Sequence, residues 1–174
     1  MIVHAGAHPA VGGVHAPEVY GDSYVYGPLL QPTADLAAHG VIELGKVSAW
    51  WGSNRSGLVL REFGRGASGN GRAGPRGEGD CTVVFSMAAP VPASVLRSLA
   101  LYAGCNAWSD LGDVVAADGG MLAVHSVRPG ERVLRLPKAM TVTDAVTGRT
   151  VAQGVSSFKT ILKSPDTRVF LLDE

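Results

Sequence analysis

Residues 113–127 read DVVAADGGMLAVHSV, and this stretch decides the fold class of the chain. Two short apolar runs are separated by Asp118, Gly119 and Gly120, a combination that is typical of the tight turn of a β-hairpin. Five further short runs follow, which are RVLRL, MTVTDAV, RTVAQGV, SFKTILK and TRVFLL. Short strands with turn residues between them predict that residues 113–174 form a small antiparallel β-domain, either a sandwich or a barrel-like sheet.

The residues before this domain predict one helix and several strands. PVPASVLRSLALYAGC, residues 90–105, places apolar side chains at helical spacing between an early proline and Gly104. CTVVFS, residues 81–86, is an uninterrupted apolar run that predicts a strand buried on both faces. VIELGKV from Val41 and GLVLREF from Gly57 predict two paired strands. We therefore expect an α+β, mainly β fold in which residues 41–112 form a partial α/β region with one clear helix.

Two segments show little hydrophobic periodicity. Residues 1–40 are rich in Gly, Pro, Ala and His, so we expect an irregular N-terminal arm with one strand at Ser23 to Tyr26. Residues 64–80 read GRGASGNGRAGPRGEGD and contain no apolar side chain larger than that of alanine. This composition predicts a flexible surface loop.

Charge and hydropathy exclude two classes of partner. Fifteen basic and fifteen acidic residues give a formal net charge of zero, so no basic surface for nucleic acid is expected. No apolar run reaches the roughly 20 residues that span a bilayer, and the first residues do not have the pattern of an export signal. Cys81 and Cys105 are expected to be reduced thiols, which favours a cytoplasmic protein.

An acidic stretch at residues 104–127 contains the side chains that most resemble a reaction centre. Asp110, Asp113, Asp118 and His125 lie close together in sequence, but their spacing does not match the ligand pattern of a calcium loop. Aspartates also end strands and fill turns, and His125 lies within a predicted strand. We therefore predict that Asp110, Asp113 and His125 are structural residues.

No motif in the chain indicates a metal or a cofactor. His4, His8 and His15 could bind zinc or copper if the arm folded back, but their spacing matches no recurrent ligand pattern. The chain has no phosphate-binding loop, dinucleotide fingerprint, nucleophile elbow, HExxH or CxxC motif. We expect neither a metal nor a cofactor.

The order of elements from Cys81 to Leu172 carries a family resemblance. The first elements are a strand and a proline-marked helix that ends in YAG. They are followed by strands around DVV and LAVHS, by GERVLRLP and by a hairpin around TGRTVA. This arrangement resembles the C-terminal part of large bacterial glycoside hydrolases related to β-galactosidases. In that family, a glutamine-amidotransferase-like trimerisation domain precedes a small β-domain. The catalytic barrel of the family is absent here, and Cys81 does not occupy the strand-to-helix elbow of an amidotransferase nucleophile.

The resemblance implies an accessory or oligomerisation module of a carbohydrate-active enzyme. Its partner would be a second copy of the chain or a catalytic subunit, with carbohydrate as a possible ligand. The first alternative is a small stand-alone glycoside hydrolase with two carboxylates facing each other across a cleft. The candidates for that pair are Glu18, Glu43, Glu62, Asp110 and Asp113.

A second alternative is a carbohydrate-binding module. Exposed indole rings stack on sugar rings, and the chain has three tryptophans. The candidate binding residues are Trp50, Trp51 and Trp108. Packing in a core or an interface is the competing role for each of them.

Overall fold

The computed structural model describes residues 1–4, 8–15, 17–21, 35–48, 54–64 and 80–174. The chain divides into two compact units, Met1–Cys105 and Asn106–Glu174. The division lies slightly before the expected start of the β-domain at residue 113, because residues 106–112 contact the second unit. The predicted strand at 23–26 and most of the predicted loop 64–80 lie outside the described residues.

The first unit contains one antiparallel sheet, one α-helix and two short 3₁₀ helices among its described residues. The strands follow the order β2-β1-β3-β4-β5. Their bounds are Ile2–Val3 for β1, Glu18–Val19 for β2, Val41–Ser48 for β3, Asn54–Phe63 for β4 and Cys81–Ser86 for β5. The helix α1 is Ala93–Tyr102, and the 3₁₀ helices are Pro9–Val11 and Ala37–His39.

The N-terminal residues contribute directly to the core of the first unit. Leu44, Leu58 and Leu60 of the sheet face Val95 of α1 and a set of buried N-terminal side chains. That set consists of Met1, Val3, Ala10, Val11 and Val14. The residues 1–40 were expected to be irregular, but their described part adds two strands to the sheet and side chains to its core.

Strand β5 departs from the prediction that it is buried on both faces. Burial alternates along the strand, and the side chains of Val83 and Phe85 are 52% and 44% exposed. Val84, between them, packs against the core. The run CTVVFS is apolar on both faces, but within the single chain the described residues of this unit cover only one face of the sheet. Composition alone does not reveal which face of β5 packs against the core.

The second unit is a five-stranded antiparallel sheet in the order β6-β7-β10-β8-β9. The strands are Val114–Ala117 (β6), Met121–Ser126 (β7), Gly130–Asp144 (β8), Thr150–Leu162 (β9) and Asp166–Asp173 (β10). The last strand of the sequence, β10, therefore lies between β7 and β8. Residues 108–110 bond to β8 as well, through Asp110 N to Val133 O and Arg135 N to Trp108 O.

Seven predicted runs become five strands because β8 and β9 each continue through an apparent break. Pro137 interrupts the pattern of β8, but it lies where the register with β9 shifts between Arg135 and Met140. A proline is tolerated at such an irregularity since no ladder hydrogen bond is required there. Gly154 of β9 has a φ of +59° and lies at the next irregularity, where the register shifts between Met140 and Val142. Glycine adopts this conformation without steric strain.

The core of the second unit is formed by side chains of this sheet. Its buried side chains come from β7, β8, β9 and β10, with the largest share from β8, and Phe158 of β9 and Phe170 of β10 meet edge to face with ring centres 5.0 Å apart. With one α-helix and two antiparallel sheets among the described residues, the predicted α+β, mainly β class is confirmed. No helix in the described part of the chain has both the length and the apolar character required to span a bilayer.

Candidate functional site

The acidic stretch leads to a buried ion pair in the second unit. Asp113 precedes β6, and Arg132 lies near the start of β8. The Nε of Arg132 donates to both carboxylate oxygens of Asp113 at 2.9 and 3.1 Å. The two side chains are only 3% and 2% exposed. A charge pair removed from water to this extent requires further hydrogen bonds to be stable.

The surrounding residues supply those hydrogen bonds. Ser109 Oγ donates to Asp113 at 2.7 Å, and Arg132 Nη2 donates to Ser126 Oγ at 2.9 Å and to the carbonyl of Arg128 at 2.8 Å. Burial alone would raise the pKa of Asp113. The hydroxyl groups of Ser109 and Ser126 and the guanidinium of Arg132 outweigh burial and lower that pKa below its usual value. Asp113 is therefore an ionised carboxylate that is unsuited to donate a proton near neutral pH.

A cavity of about 340 Å³ opens beside this ion pair. We call it the Asp113 cleft. It is formed by the segment before β6 and the segment after β7, with Arg132 of β8. Its lining residues are Leu111, Gly112, Asp113, Val114, His125, Ser126, Val127, Arg128 and Arg132. The volume falls within the range of small-ligand pockets.

The other two residues of the predicted structural cluster also bond within the fold. Asp110 Oδ1 accepts a hydrogen bond from the backbone N–H of Val133 at 3.2 Å. His125 Nδ1 lies 2.8 Å from Thr167 Oγ1, its cross-strand neighbour in β10. Asp118 caps the β6–β7 turn by accepting from the N–H groups of Gly120 and Met121 at 2.8 Å. These contacts are those of residues that hold strands and turns in place.

The glutamates proposed for a hydrolase belong to the first unit. Glu43 accepts a hydrogen bond from Ser56, and its carboxylate lies 3.7 Å from Lys46 Nζ and 3.8 Å from His4 Nε2. Glu62 accepts from the hydroxyl of Tyr102. Glu18 lies in β2, at the far side of the sheet order from β4 and β5. The described contacts of Glu43 and Glu62 are with neighbouring side chains of the same unit, and none pairs one carboxylate with another.

A buried histidine lies close to Glu62. His8 is 7% exposed, its Nδ1 accepts the backbone N–H of Ala10 at 3.1 Å, and its ring meets the ring of Tyr102 edge to face. Its Nε2 has no hydrogen-bond partner among the described residues. Burial lowers the pKa of His8, and the nearby carboxylate of Glu62 offsets part of that effect. In the described part of the chain, no three His, Cys, Asp or Glu side chains come together as a metal site.

The tryptophans proposed for sugar binding differ in what the structure describes. Trp108 is half-buried and packs against the core of the second unit. Its ring therefore contributes to that core, and stacking on a sugar would require its exposed part. Trp50 and Trp51 lie outside the described residues.

The first unit has an exposed apolar surface on the face of its sheet opposite α1. We call this surface the outer face. Cross-strand pairs place Val83 beside Arg61 and Phe85 beside Val59. The guanidinium of Arg61 lies over the ring of Phe63, 4.6 Å from its centre. Phe63, Val83 and Phe85 are all exposed on this face.

Sequence reasoning identified Asp113 and His125 but missed most of the cleft. Arg132 was not singled out, although it alternates in phase with Leu134 and Leu136, which are core positions of β8. A charged residue in phase with core residues is the signal that would have indicated a buried ion pair. No signal in the sequence placed Leu111, Val114 and Val127 around it.

No family model, curated protein or solved structure matches this chain. The resemblance to the C-terminal part of β-galactosidase-like glycoside hydrolases therefore stays a prediction.

Proposed function

We propose that this chain is an accessory assembly module of a carbohydrate-active enzyme and that it self-associates through the outer face of its first sheet. The observation that carries the assembly role is the exposure of Phe63, Val83 and Phe85 on one face. Contiguous apolar side chains on the surface of a small protein mark interaction sites. The carbohydrate-active setting is supported by the sequence resemblance alone.

A second copy of the chain is the proposed occupant of the outer face. The face carries charges of both signs, with Arg61 on β4 and Glu43 and Lys46 on β3. Two such faces related by a two-fold axis can place opposite charges together, and the formal net charge of zero avoids repulsion between copies. Two antiparallel sheets can pack face to face through apolar side chains.

The engagement of the candidate carboxylates supports an assembly role over hydrolysis. A retaining or inverting hydrolase needs one carboxyl group that holds a proton and a second that is ionised across a cleft. Asp113 instead holds Arg132, Asp110 holds a backbone N–H, and Glu62 accepts from Tyr102. These internal partners leave the acid and base roles of a hydrolase without an evident pair among the described carboxylates.

Light scattering on dilute protein tests the self-association. The wild-type mass should be a multiple of 18.0 kDa, and Phe85→Glu should reduce it to that of one chain. Removing one Phe from an interface costs about 2–3 kcal/mol, and a two-fold interface loses it twice, which weakens the dimer by about three orders of magnitude or more. Val146→Glu adds the same charge at a site that is 87% exposed in the second unit and should leave the mass unchanged.

Two results would contradict the proposal in different ways. A stable wild-type monomer at micromolar concentration would exclude self-association. Turnover of chromogenic galactosides or glucosides by the purified chain, abolished by Glu43→Gln or Glu62→Gln in a folded variant, would instead favour a stand-alone hydrolase.

A further inference from the structure

The Asp113 cleft has the composition of a binding site for a small apolar acid. Leu111, Val114 and Val127 line it, and all three are exposed aliphatic side chains, at 50%, 71% and 67%. Aliphatic side chains at this exposure gain free energy when a ligand removes their surface from water. They are suited to contact the apolar body of a ligand.

The charges of the cleft favour an anion. Two arginines and one aspartate line it, and Asp113 is already neutralised by Arg132. Arg128 makes no ion pair with the described residues, so its positive charge remains uncompensated. Its backbone is fixed, because its N–H donates to Ser126 Oγ at 3.2 Å and its carbonyl accepts from Ser126 and Arg132. A cation on a fixed backbone beside an apolar cavity can position a carboxylate.

The guanidinium of Arg132 has a further N–H hydrogen to offer. A guanidinium has five N–H hydrogens. Arg132 donates four of them, to Asp113, Ser126 and the carbonyls of Glu131 and Arg128. One Nη1 hydrogen has no acceptor among the described residues. Because Arg132 lines the cavity, a ligand oxygen that reached this hydrogen would complete the hydrogen bonds of the guanidinium.

We propose that the Asp113 cleft binds a carboxylate joined to a branched aliphatic group. Arg128 would pair with the carboxylate, and Leu111, Val114 and Val127 would contact the aliphatic part. This chemistry occurs both in free short-chain acids and at the C-terminus of a peptide that ends in an aliphatic residue. The inference is independent of self-association through the outer face, since the cleft belongs to the second unit.

Titration of the full-length, ¹⁵N-labelled chain tests the proposal. The probes are 4-methylpentanoate for a free acid, N-acetyl-leucine for a peptide C-terminus and 4-methylpentanamide as the uncharged match. Saturable amide shifts should appear at residues 111–114 and 125–128 with at least one acid. The amide should bind at least about fivefold more weakly, as loss of a partly exposed ion pair predicts. The acid with the higher affinity identifies the source of the ligand.

Variants separate the two parts of the cleft. Arg128→Gln should weaken acid binding about fivefold without affecting the fold, because the side chain makes no hydrogen bond or ion pair with the described residues. Arg149→Gln removes the same charge from the exposed turn after β8 and should bind as the wild type does. Val114→Ser should weaken the acid and the amide by the same factor, because it alters only the apolar contact.

Three outcomes would overturn the proposal. They are the absence of saturable shifts in the cleft with either acid, equal affinity for acid and amide, and equal loss of affinity in Arg128→Gln and Arg149→Gln.

Discussion

Removing the charge of Asp113 should strongly destabilise the second unit. In Asp113→Asn, the guanidinium of Arg132 stays buried at 2% exposure but loses its counter-charge. Removing one partner of a buried ion pair typically costs about 3–5 kcal/mol. Asn keeps one oxygen acceptor, and Ser126 and the carbonyl of Arg128 still bind Arg132. We therefore expect a loss near the lower limit, about 3 kcal/mol.

That loss is large for a unit of this size. A domain of about 70 residues has a total stability of roughly 3–10 kcal/mol. A change of about 3 kcal/mol corresponds to a decrease in melting temperature of about 12 °C or more for so small a unit. Urea denaturation of the full chain at pH 7, followed through the amide signals of residues 106–174, measures the change. Asp173→Asn, at an exposed carboxylate in β10, is the matched control and should change the stability by less than about 0.5 kcal/mol.

A double variant and a pH series make the test specific to the ion pair. Asp113→Leu with Arg132→Met leaves no unpaired buried charge and should lose much less stability than the sum of the single changes. Because the pKa of Asp113 is lowered in the folded state, its contribution is complete well above the unfolded value of 3.8. It is lost as the pH falls through the lower folded pKa. The wild type and Asp113→Asn should thus converge in acid. Equal stability of Asp113→Asn and Asp173→Asn at pH 7, or strictly additive losses in the double variant, would refute the reasoning.

Two further predictions concern the first unit. The pKa of His8 is lowered in the folded state, so the stability that His8 contributes is complete above the unfolded value of 6.5. That stability decreases as the pH falls toward the folded pKa, by up to about 1.4 kcal/mol per pH unit. His8→Asn should remove this dependence between pH 6.5 and 5 in urea denaturation, whereas His39→Asn, at an exposed site, should retain it; an unchanged pH profile in His8→Asn would contradict the assignment. Gly45→Ala should cost about 1–3 kcal/mol, because a Cβ there would lie 2.7 Å from the carbonyl oxygen of Ile2 in the neighbouring strand. Gly112→Ala, whose Cβ would meet no atom within 4 Å, should cost little in thermal denaturation, and equal melting temperatures for the two variants would show that β1 moves without penalty.

The local pattern of the sequence was sufficient for most elements. Helix α1 was predicted within residues 90–105, ahead of Gly104, and spans Ala93–Tyr102, since apolar spacing and a C-terminal glycine both act within a few residues. The hairpin at Asp118 was predicted for the same reason, because its turn chemistry is local. Strands β8 and β9 were each predicted as two runs, RVLRL and MTVTDAV on either side of Pro137, and RTVAQGV and SFKTILK on either side of Ser156. The strands continue through both residues at register irregularities.

Features set by distant residues were beyond sequence reasoning. The exposure of Val83 and Phe85 depends on which elements pack on each face of the sheet, and a uniformly apolar run does not contain that information. The Asp113–Arg132 pair joins residues on either side of the β6–β7 hairpin, so its formation depends on the way β6, β7 and β8 are brought together. The prediction that Asp113 is structural rested on an absent ligand pattern, whereas the contacts with Arg132 and Ser109 give it a physical basis.

The position of β10 between β7 and β8 affects how the second unit can form during translation. As the nascent chain leaves the ribosome, β7 and β8 emerge before the strand that joins them, so each has an unsatisfied edge until Asp166–Asp173 arrives. Closure then requires pairing across long sequence separations, which is slow compared with the adjacent β3–β4 pairing of the first unit. During that interval the chain exposes apolar strand residues, and a partly folded chain in that state is prone to aggregate.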